Sequence, residues 1–339
     1  MPISRRNALA LLASAPLLAS CGVGGSSPAA GRTLRVAFQN FADSTLLVKD
    51  QQTLEKALPD HRITWTAFDS GASINTAFLG GAIDLAVIGS SPAAAGLCPP
   101  LSIPYQVVEL LNVIGDSEAL VVRKASGITK ISELAGRKIA APFSSTAHFS
   151  LLAALELAGV DAASVTVVDL EPQNIQAAWQ RGDIDGAYVW TPVLSVLQQD
   201  GVTLTDSAKL AAAGKPTLTF TVARKEFADA NPDVLDKWLA ATNDAIKLVK
   251  TDPAKVAAAV GRQIGIGEAD ALAQLKQNIY LDHEEQRGPD YFGTSAAPGQ
   301  LANRLRATAE FLRAQKKVEQ VPDLAVFQAA LRAPGGGRA

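Results

Sequence analysis

The sequence is poor in the residues that usually build metal centres, disulfides and nucleic-acid interfaces. Its 339 residues include two cysteines, three histidines and one methionine, and the formal net charge is only −2. Scattered cysteines and histidines exclude a clustered metal site, and a near-neutral chain without a basic block argues against nucleic-acid binding. No run of 18 apolar residues is present, which argues against a transmembrane span. We therefore expect no metal, no cofactor and no nucleic-acid partner.

The N-terminal segment has the pattern of an export signal rather than of a folded element. The basic start SRR at 4–6 is followed by a short apolar stretch and by small residues that lead to Cys21, an order typical of a signal peptide. We predict a signal peptide over 1–20 and a lipid on Cys21, because LASC resembles a lipobox. A plain signal peptide cut elsewhere is the alternative, and both the general and the twin-arginine export routes stay open. With Cys21 lipidated, Cys98 has no disulfide partner within the chain.

Strands alternate with helical patterns along most of the chain. Short apolar and β-branched runs are separated by segments of helical periodicity, and residues 225–332 are mostly helical. This alternation predicts an α/β fold with largely parallel sheets. Two longer extended runs, at 119–124 and 217–224, divide the strands into two groups. We therefore predict a two-lobed fold in which these two strands cross between the lobes at a hinge, with a ligand cleft at the strand ends.

This division sets the predicted domain boundaries. The N-terminal segment leads into a Gly- and Ser-rich tether, and the chain ends in a Gly-rich tail. The predicted parts are a flexible tether at 21–32, lobe one at 33–118 together with 220–332, lobe two at 119–219, and a disordered tail at 333–339.

Two predicted strand ends carry the same arrangement of small hydroxyl residues. Ser90 and Ser91 follow one strand and open a helix, and Ser145 and Thr146 do the same further along. Hydroxyls beside the unpaired N–H groups of a helix N-terminus can bind an anion without a cationic side chain. Ordinary N-capping explains either stretch alone. Their repetition in a two-lobed protein favours a shared tetrahedral anion.

His148 and Trp190 are further candidates for the cleft. His148 falls near the third position of its helix, where it either donates to an anion or packs as an ordinary side chain. Trp190 ends a predicted strand, where an aromatic wall would hold an alkyl chain or an ammonium, although core packing is commoner for tryptophan. Asp183 and Asp185 flank a glycine turn and suit turn and cap roles better than acid–base catalysis. No catalytic triad order or phosphate-loop signature is present.

Four segments resemble the solute-binding proteins of ABC importers for taurine, aliphatic sulfonates and related small ligands. They are FDSGASINTAFLGGAIDLAVIGSSP at 68–92, DSEALVV at 116–122, APFSSTAHFSLLAALELAG at 141–159 and AAWQRGDIDGAYVWTP at 177–192. The resemblance implies a type II periplasmic binding fold, a sulfonate ligand, and a partner permease with its ATPase. It also implies a monomer that is periplasmic, or exposed at the cell surface, and held on a bacterial membrane only through a lipid on Cys21.

The resemblance also implies which residues contact the ligand, namely Gln39, Ser90, Ser91, Ser145, Thr146, His148 and Trp190. Thr219 is a further predicted ligand contact, and it departs from the pattern, because taurine binders have an aspartate at this position after PTL. A buried ammonium without a partner is costly, so either Asp43, Glu118 or Asp185 pairs with it, or the ligand lacks the amine. Taurine is the first expectation, and an amine-free alkanesulfonate or another small anion is the alternative. The export signal disfavours an enzyme on the same fold.

Overall fold

The computed structural model describes residues 32–335, which form two β-sheets flanked by helices. The predicted signal peptide, the predicted tether up to residue 31 with the predicted lipidation site Cys21, and the last four residues lie outside the described residues. From Arg32 onward the chain forms one compact unit. In that described part, no helix is both long enough and apolar enough to cross a bilayer.

The described residues contain eleven strands. They are β1 (Arg32–Gln39), β2 (His61–Phe68), β3 (Leu85–Gly89), β4 (Tyr105–Val113), β5 (Glu118–Arg123), β6 (Lys138–Ala141), β7 (Thr166–Asp169), β8 (Gly186–Trp190), β9 (Gly201–Asp206), β10 (Leu218–Arg224) and β11 (Ile279–Tyr280). The first sheet has the order β11-β4-β10-β3-β1-β2, and the second has the order β7-β6-β8-β5-β9.

The same residues contain fifteen α-helices, joined in places by short 3₁₀ turns. They are α1 (Thr45–Asp50), α2 (Thr53–Ala57), α3 (Gly71–Leu79), α4 (Ser90–Leu97), α5 (Thr146–Leu157), α6 (Pro172–Arg181), α7 (Val193–Leu197), α8 (Ser207–Ala212), α9 (Lys225–Ala230), α10 (Pro232–Thr251), α11 (Pro253–Ile264), α12 (Glu268–Leu275), α13 (His283–Gln286), α14 (Leu301–Ala314) and α15 (Leu324–Ala329).

Local sequence chemistry explains where helix α6 begins and ends. Pro172 occupies the first helical position, where its missing N–H costs nothing. Gly182 follows the last turn with φ of 80°, a left-handed conformation that glycine adopts without strain. Between them, Ile175 and Trp179 lie one turn apart and bury the same face against the second sheet. The helix therefore returns the chain to strand β8, whose end reaches the cleft.

The α/β class and the division into two sheets are confirmed, but the expectation of largely parallel sheets is wrong, because the short edge strand β11 runs antiparallel to β4 and two longer strands are also reversed. β1 pairs with β2 and β3 in parallel, whereas β10 runs antiparallel between β3 and β4. In the second sheet β5 runs antiparallel to both β8 and β9. These two strands are the runs predicted to cross at the hinge. Because each pairs with two neighbours of a single sheet, neither strand crosses between the sheets.

The first sheet has an apolar core on each face. Trp238 of α10 is fully buried on one face with Leu34 and Val36 of β1, and Phe220 of β10 packs with α4 and α14 on the other. Ordered packing on both faces holds the strand ends of this sheet in fixed positions.

Candidate ligand-binding site

A cavity of about 40 Å³ lies between the ends of the two sheets. The first sheet and its helices contribute Gln39, Phe41, Gly89, Pro92, Asn112 and Thr219. The second contributes Glu118, Ser145, Thr146, Trp190 and Thr191. Parallel strands reach the cavity with their carboxyl ends, and the reversed strands β5 and β10 reach it with their amino ends. This is the place where α/β sheets usually hold small ligands.

The N-terminus of helix α5 opens into this cavity. Ser145 is the N-cap residue, and its hydroxyl oxygen accepts a 3.1 Å hydrogen bond from the backbone N–H of His148. Both Ser145 and Thr146 line the cavity. The first N–H groups of a helix have no intrahelical partner and carry a partial positive charge. Capping and anion binding, which the sequence leaves as alternatives, are therefore compatible at Ser145.

Glu118 brings a buried carboxylate to the same cavity. Its Oε2 accepts a 2.6 Å hydrogen bond from the hydroxyl of Thr146, and its Oε1 accepts one of 3.1 Å from the hydroxyl of Ser207. Ser150 donates a third, longer bond of 3.4 Å. Burial raises the pKa of Glu118 to about 7, and the hydroxyl donors only partly offset this effect. The carboxylate therefore titrates near neutral pH.

Strand pairing places Trp190, the predicted aromatic wall, directly beside the carboxylate of Glu118. Glu118 and Trp190 are opposite each other in the antiparallel pair β5 and β8. Directly opposed residues have their side chains on one face of the sheet, about 4.5–5.5 Å apart at Cβ. On the facing sheet, Thr219 is opposite Gly89 on one side and Asn112 on the other. The cavity thus lies between two groups of side chains, one on each sheet, whose positions within the sheet are set by strand pairing.

Comparison with known proteins places the chain in a family. A family model described as the substrate binding domain of an ABC-type glycine betaine transport system matches residues 32–262. The taurine-binding periplasmic protein of Escherichia coli (strain K12) is 38% identical over 292 residues, which cover 84% of this chain and 88% of that protein. The chain belongs to this family of ABC-type substrate-binding domains. The resemblance seen in the four sequence segments is confirmed.

A further relative agrees with this assignment, and a solved structure has the same fold. A putative aliphatic sulfonates-binding protein of Escherichia coli (strain K12) is 30% identical over 260 residues, which cover 76% of this chain and 77% of the relative. The alkanesulfonate-binding protein SsuA from Xanthomonas axonopodis pv. citri, solved with bound MOPS, has the same fold. It superposes with a TM-score of 0.74 at 24% identity and covers 90% of this chain and 99% of its own.

Six of the residues predicted for ligand contact or amine pairing line the cavity of this substrate-binding domain: Gln39, Glu118, Ser145, Thr146, Trp190 and Thr219. Ser90 does not, because its hydroxyl oxygen accepts a 3.1 Å hydrogen bond from the N–H of Leu218 and points into the first sheet. Ser91 is fully buried behind the cavity wall, with no partner for its hydroxyl among the described residues. Helix α4 therefore meets the cavity through Gly89 and Pro92 rather than through its two serines.

His148 is buried behind the wall of the cavity. Its ring stacks on Phe143 with centroids 4.4 Å apart, and its Nδ1 accepts a 3.3 Å hydrogen bond from the N–H of Ser144. Burial and the nearby Lys317 ammonium lower the pKa of His148 to about 4. The imidazole is therefore neutral at physiological pH, and the structure gives it no face on the cavity.

Two of the three candidate amine partners lie away from the cavity. Asp185 precedes β8 at the far end of that strand, where its carboxylate accepts a 2.8 Å hydrogen bond from the N–H of Lys138. Asp43 is fully buried beside the cavity residue Ala42, and its Oδ1 caps the following turn by accepting from Thr45. Burial raises the pKa of Asp43 to about 6. Only Glu118 lines the cavity.

Asn112, Ser117 and Asn278 also line the cavity, although they are not among the residues predicted from the sequence. Ser117 and Asn278 are joined by a 2.6 Å hydrogen bond from the serine hydroxyl to the asparagine Oδ1. Asn112 could have been recognised from the sequence, because it is a polar residue inside the apolar strand YQVVELLNV. Among the described residues there is no group of three His, Cys, Asp or Glu side chains arranged to hold a metal ion.

Proposed function

We propose that this protein binds a short sulfonate, with taurine as the first choice, and delivers it to an ABC importer. The observation that carries the proposal is the charge balance of the cavity. Among the described residues, Glu118 is the only titratable side chain that lines it, and no cationic side chain does. The taurine- and sulfonate-binding relatives support the same ligand class.

The charge balance favours a zwitterion over a simple anion. A sulfonate beside an ionised Glu118 would place two negative charges in one buried cavity, which is unfavourable at short range. An aminosulfonate avoids this, because its ammonium compensates the carboxylate. Trp190, opposite Glu118 in the strand register, adds an aromatic face that attracts a cation. We therefore assign the ammonium to the end of the cavity formed by Glu118 and Trp190.

The sulfonate is assigned to the N-terminus of helix α5. The backbone N–H groups of Thr146 and of the next residue lie in the first helical turn, where they lack intrahelical partners. Helix N-termini bind tetrahedral anions through such groups without a lysine or arginine. The hydroxyl of Thr146 already donates to Glu118, so we assign this contact to the backbone rather than to the threonine hydroxyl.

The size of the cavity favours a short ligand. Its volume is only about 40 Å³, so it leaves little room for a bulky substituent. That space suits a two- or three-carbon sulfonate and disfavours a ring-bearing one such as the MOPS bound by the alkanesulfonate-binding relative.

Thr219 supports a second candidate, an amine-free alkanesulfonate. Its hydroxyl cannot supply the charge that the aspartate expected at this position would supply to an ammonium. With a pKa near 7, Glu118 is also able to carry a proton and donate it to a sulfonate oxygen. In this arrangement the cavity would hold one net negative charge from the ligand alone.

The remaining parts of the proposal concern partners and location. We propose a monomer that closes around its ligand and then docks on a permease with its ATPase, outside the cytoplasmic membrane. The periplasmic relatives support this location. Lipidation of Cys21 as the membrane anchor stays a prediction. No catalytic step is part of the proposal, since the named relatives are binding proteins.

Calorimetric titration of the purified protein tests the ligand class. The panel is taurine, ethanesulfonate, longer alkanesulfonates, MOPS, sulfate and glycine betaine. We expect taurine to bind at least ~10-fold more tightly than ethanesulfonate, because pairing a buried charge is worth more than ~1.4 kcal/mol. Preference for ethanesulfonate would select the second candidate, and binding of none of the sulfonates would refute the proposal.

A matched pair of variants tests the role of the carboxylate. Glu118→Gln removes the charge at the cavity and should reduce the preference for taurine over ethanesulfonate. Asp185→Asn makes the same chemical change outside the cavity and should leave both affinities unchanged. Equal effects of the two substitutions would contradict the assignment of Glu118.

A further inference from the structure

Asn112 presents a buried carboxamide to the cavity without a partner in the protein. Its side chain is 1% exposed, and neither Oδ1 nor Nδ2 has a hydrogen-bond partner among the described residues. Most buried polar side-chain atoms in proteins are hydrogen-bonded, so an unpartnered amide needs an explanation. Asn112 is also a lining residue of the cavity.

Another buried polar residue on the same strand shows the contrast. Glu109 is fully buried in β4, but its carboxylate accepts hydrogen bonds from Thr221 at 3.0 Å and from Thr242 at 2.7 Å. It also contacts the ring Nε2 of His283 at 2.7 Å. The surroundings of β4 therefore supply partners for a polar group that serves the fold. Asn112, three residues further along β4, has no such partner for its side chain among the described residues.

The strand register places Asn112 away from the sulfonate end. Thr219 lies between Gly89 and Asn112, so the last two residues are two strands apart, a separation of about 10 Å. Gly89 is at the side of the cavity where Thr146 begins helix α5, because a Cβ on Gly89 would lie 2.6 Å from the Thr146 methyl. Asn112 is therefore remote from the helix N-terminus assigned to the sulfonate.

The same strand edge leads toward Glu118. Asn112 pairs with Tyr280 of β11, and Asn278 just before that strand accepts the hydrogen bond of Ser117. Ser117 directly precedes Glu118. Asn112 is thus linked to Glu118 along this edge, and because Glu118 in turn contacts Thr146, the carboxylate lies between Asn112 and the helix N-terminus.

We propose that Asn112 is a specificity-determining residue whose carboxamide hydrogen-bonds the polar group at the end of the ligand remote from the sulfonate. An amide has an acceptor oxygen and two N–H donors, so it satisfies an ammonium or a hydroxyl but gains nothing from a methyl group. A site that pairs a buried polar group with the ligand rejects analogues lacking that group, since the protein amide is then left unpaired. The assignment rests on the proposed function, because the sulfonate fixes the orientation of the ligand.

Three ligands and two substitutions at this position test the assignment by calorimetry at constant pH. The ligands are taurine, 2-hydroxyethanesulfonate and ethanesulfonate. Asn112→Leu keeps the approximate volume of the side chain and removes both polar atoms. We expect the affinity for taurine to fall about 10- to 100-fold, the range for losing a hydrogen bond to a charged group, and the affinity for the hydroxyl analogue to fall about 2- to 10-fold, the range for a neutral one. The affinity for ethanesulfonate should change less than about threefold.

Further variants separate ligand contact from folding. Asn112→Ser keeps a polar group but shortens its reach, and it should also reduce the preference for taurine. Thr217→Val is the matched control, because the Thr217 hydroxyl is buried without a described partner but does not line the cavity. It should leave all three affinities unchanged. Thermal unfolding of each variant confirms that the protein in the titration is folded.

The outcomes distinguish failure of this assignment from failure of the proposed function. An unmodified protein that binds none of the three sulfonates overturns both. A protein that prefers taurine, with variants at Asn112 that keep this preference or that weaken all three ligands equally, overturns the role of Asn112 alone.

Discussion

The hydroxyl of Ser70 donates a 2.8 Å hydrogen bond to Oε1 of Glu171, and this bond joins elements that flank different sheets. Ser70 is the N-cap residue of α3, which follows a strand of the first sheet, and Glu171 directly precedes α6, which packs on the second. The bond therefore holds the two sheets together beside the cavity. Burial raises the pKa of Glu171, and the carboxylates of Asp69 and Asp169 raise it further.

We predict that Glu171→Ala weakens ligand binding. A protein that closes around its ligand gains the Ser70–Glu171 bond only in the closed arrangement, and a net hydrogen bond is worth about 0.5–1.5 kcal/mol, or about 2- to 10-fold in affinity. Glu171→Gln is the control, because its amide oxygen still accepts from Ser70 while the repulsion from Asp69 and Asp169 is removed. It should bind taurine at least as tightly as the unmodified protein. Equal loss in both variants would contradict a role for the hydrogen bond itself.

A second prediction concerns the approach of the two sheets at Gly89. A Cβ at this position would lie 2.6 Å from the methyl carbon of Thr146, which begins helix α5 beside the second sheet. Thr146 cannot easily turn away, because its hydroxyl donates to Glu118. We expect Gly89→Ala to hinder closure and to lower taurine affinity at least ~10-fold, the effect of ~1.4 kcal/mol of overpacking.

The control for Gly89 is another glycine that tolerates a methyl group. A Cβ on Gly80 would meet backbone oxygens only at ordinary contact distance, 3.6 Å or more, and its φ is −75°. Gly80→Ala should leave affinity and thermal stability nearly unchanged. Small-angle scattering with and without taurine measures closure directly. A normal ligand-induced compaction in Gly89→Ala would show that the methyl group does not obstruct closure.

A third prediction follows from the buried carboxylate of Glu118. Its pKa rises from an ordinary 4.5 to about 7 in the folded protein. Between these values the folded chain keeps a proton that the unfolded chain has lost, so stability falls as pH rises, by about 1.4 kcal/mol per pH unit. The contribution is fully present below pH 4.5 and is lost as pH passes through 7, with a total on the order of 3 kcal/mol.

Thermal unfolding of the ligand-free protein at pH 5 and pH 7.5 measures this effect. Glu118→Gln should be the less pH-sensitive protein over this interval, because its amide does not titrate. Taurine should restore stability mainly at the higher pH, where the ionised carboxylate pairs with the ammonium. An identical pH dependence in both proteins would show that Glu118 titrates at its ordinary pKa.

Periodicity and turn chemistry were sufficient to predict the elements around the site, but not their tertiary partners. The strand that ends at Gly89, the helix capped by Ser145 and the strand that ends at Trp190 lie where their local patterns predict. Residues 119–124 and 217–224 were predicted to cross between lobes, because an extended run looks the same whether it spans a hinge or pairs within a sheet. Only the pairing of β5 and β10 with two neighbours each resolves this.

The residues of the site were only partly predictable, because local sequence patterns do not show which side chains meet in the folded protein. Ser145 and Ser90 have similar local sequences, yet Ser145 lines the cavity while Ser90 accepts a hydrogen bond from Leu218, more than 100 residues away in the sequence. Asn112 and Glu109 are both polar residues in an apolar strand, and the sequence does not distinguish a partnered from an unpartnered side chain. Long-range contacts decide these roles, and a single sequence does not contain them.

The last prediction concerns the protonation state of His148. Its Nδ1 accepts a hydrogen bond from the N–H of Ser144, so the proton of the neutral ring lies on Nε2. Burial and the cation of Lys317 lower the pKa of His148 from 6.5 to about 4. A lowered pKa means that the stability contributed by the neutral ring is present above pH 6.5 and is lost as pH falls toward 4.

Nitrogen-15 NMR of the imidazole should therefore show the neutral Nε2–H form at pH 7, with and without taurine. In Lys317→Gln, which removes the nearby cation while leaving Phe143 stacked on the ring, the midpoint should move to higher pH. A signal of the charged imidazolium at pH 7 would contradict the burial of this side chain and would make His148 a cationic partner for the bound anion.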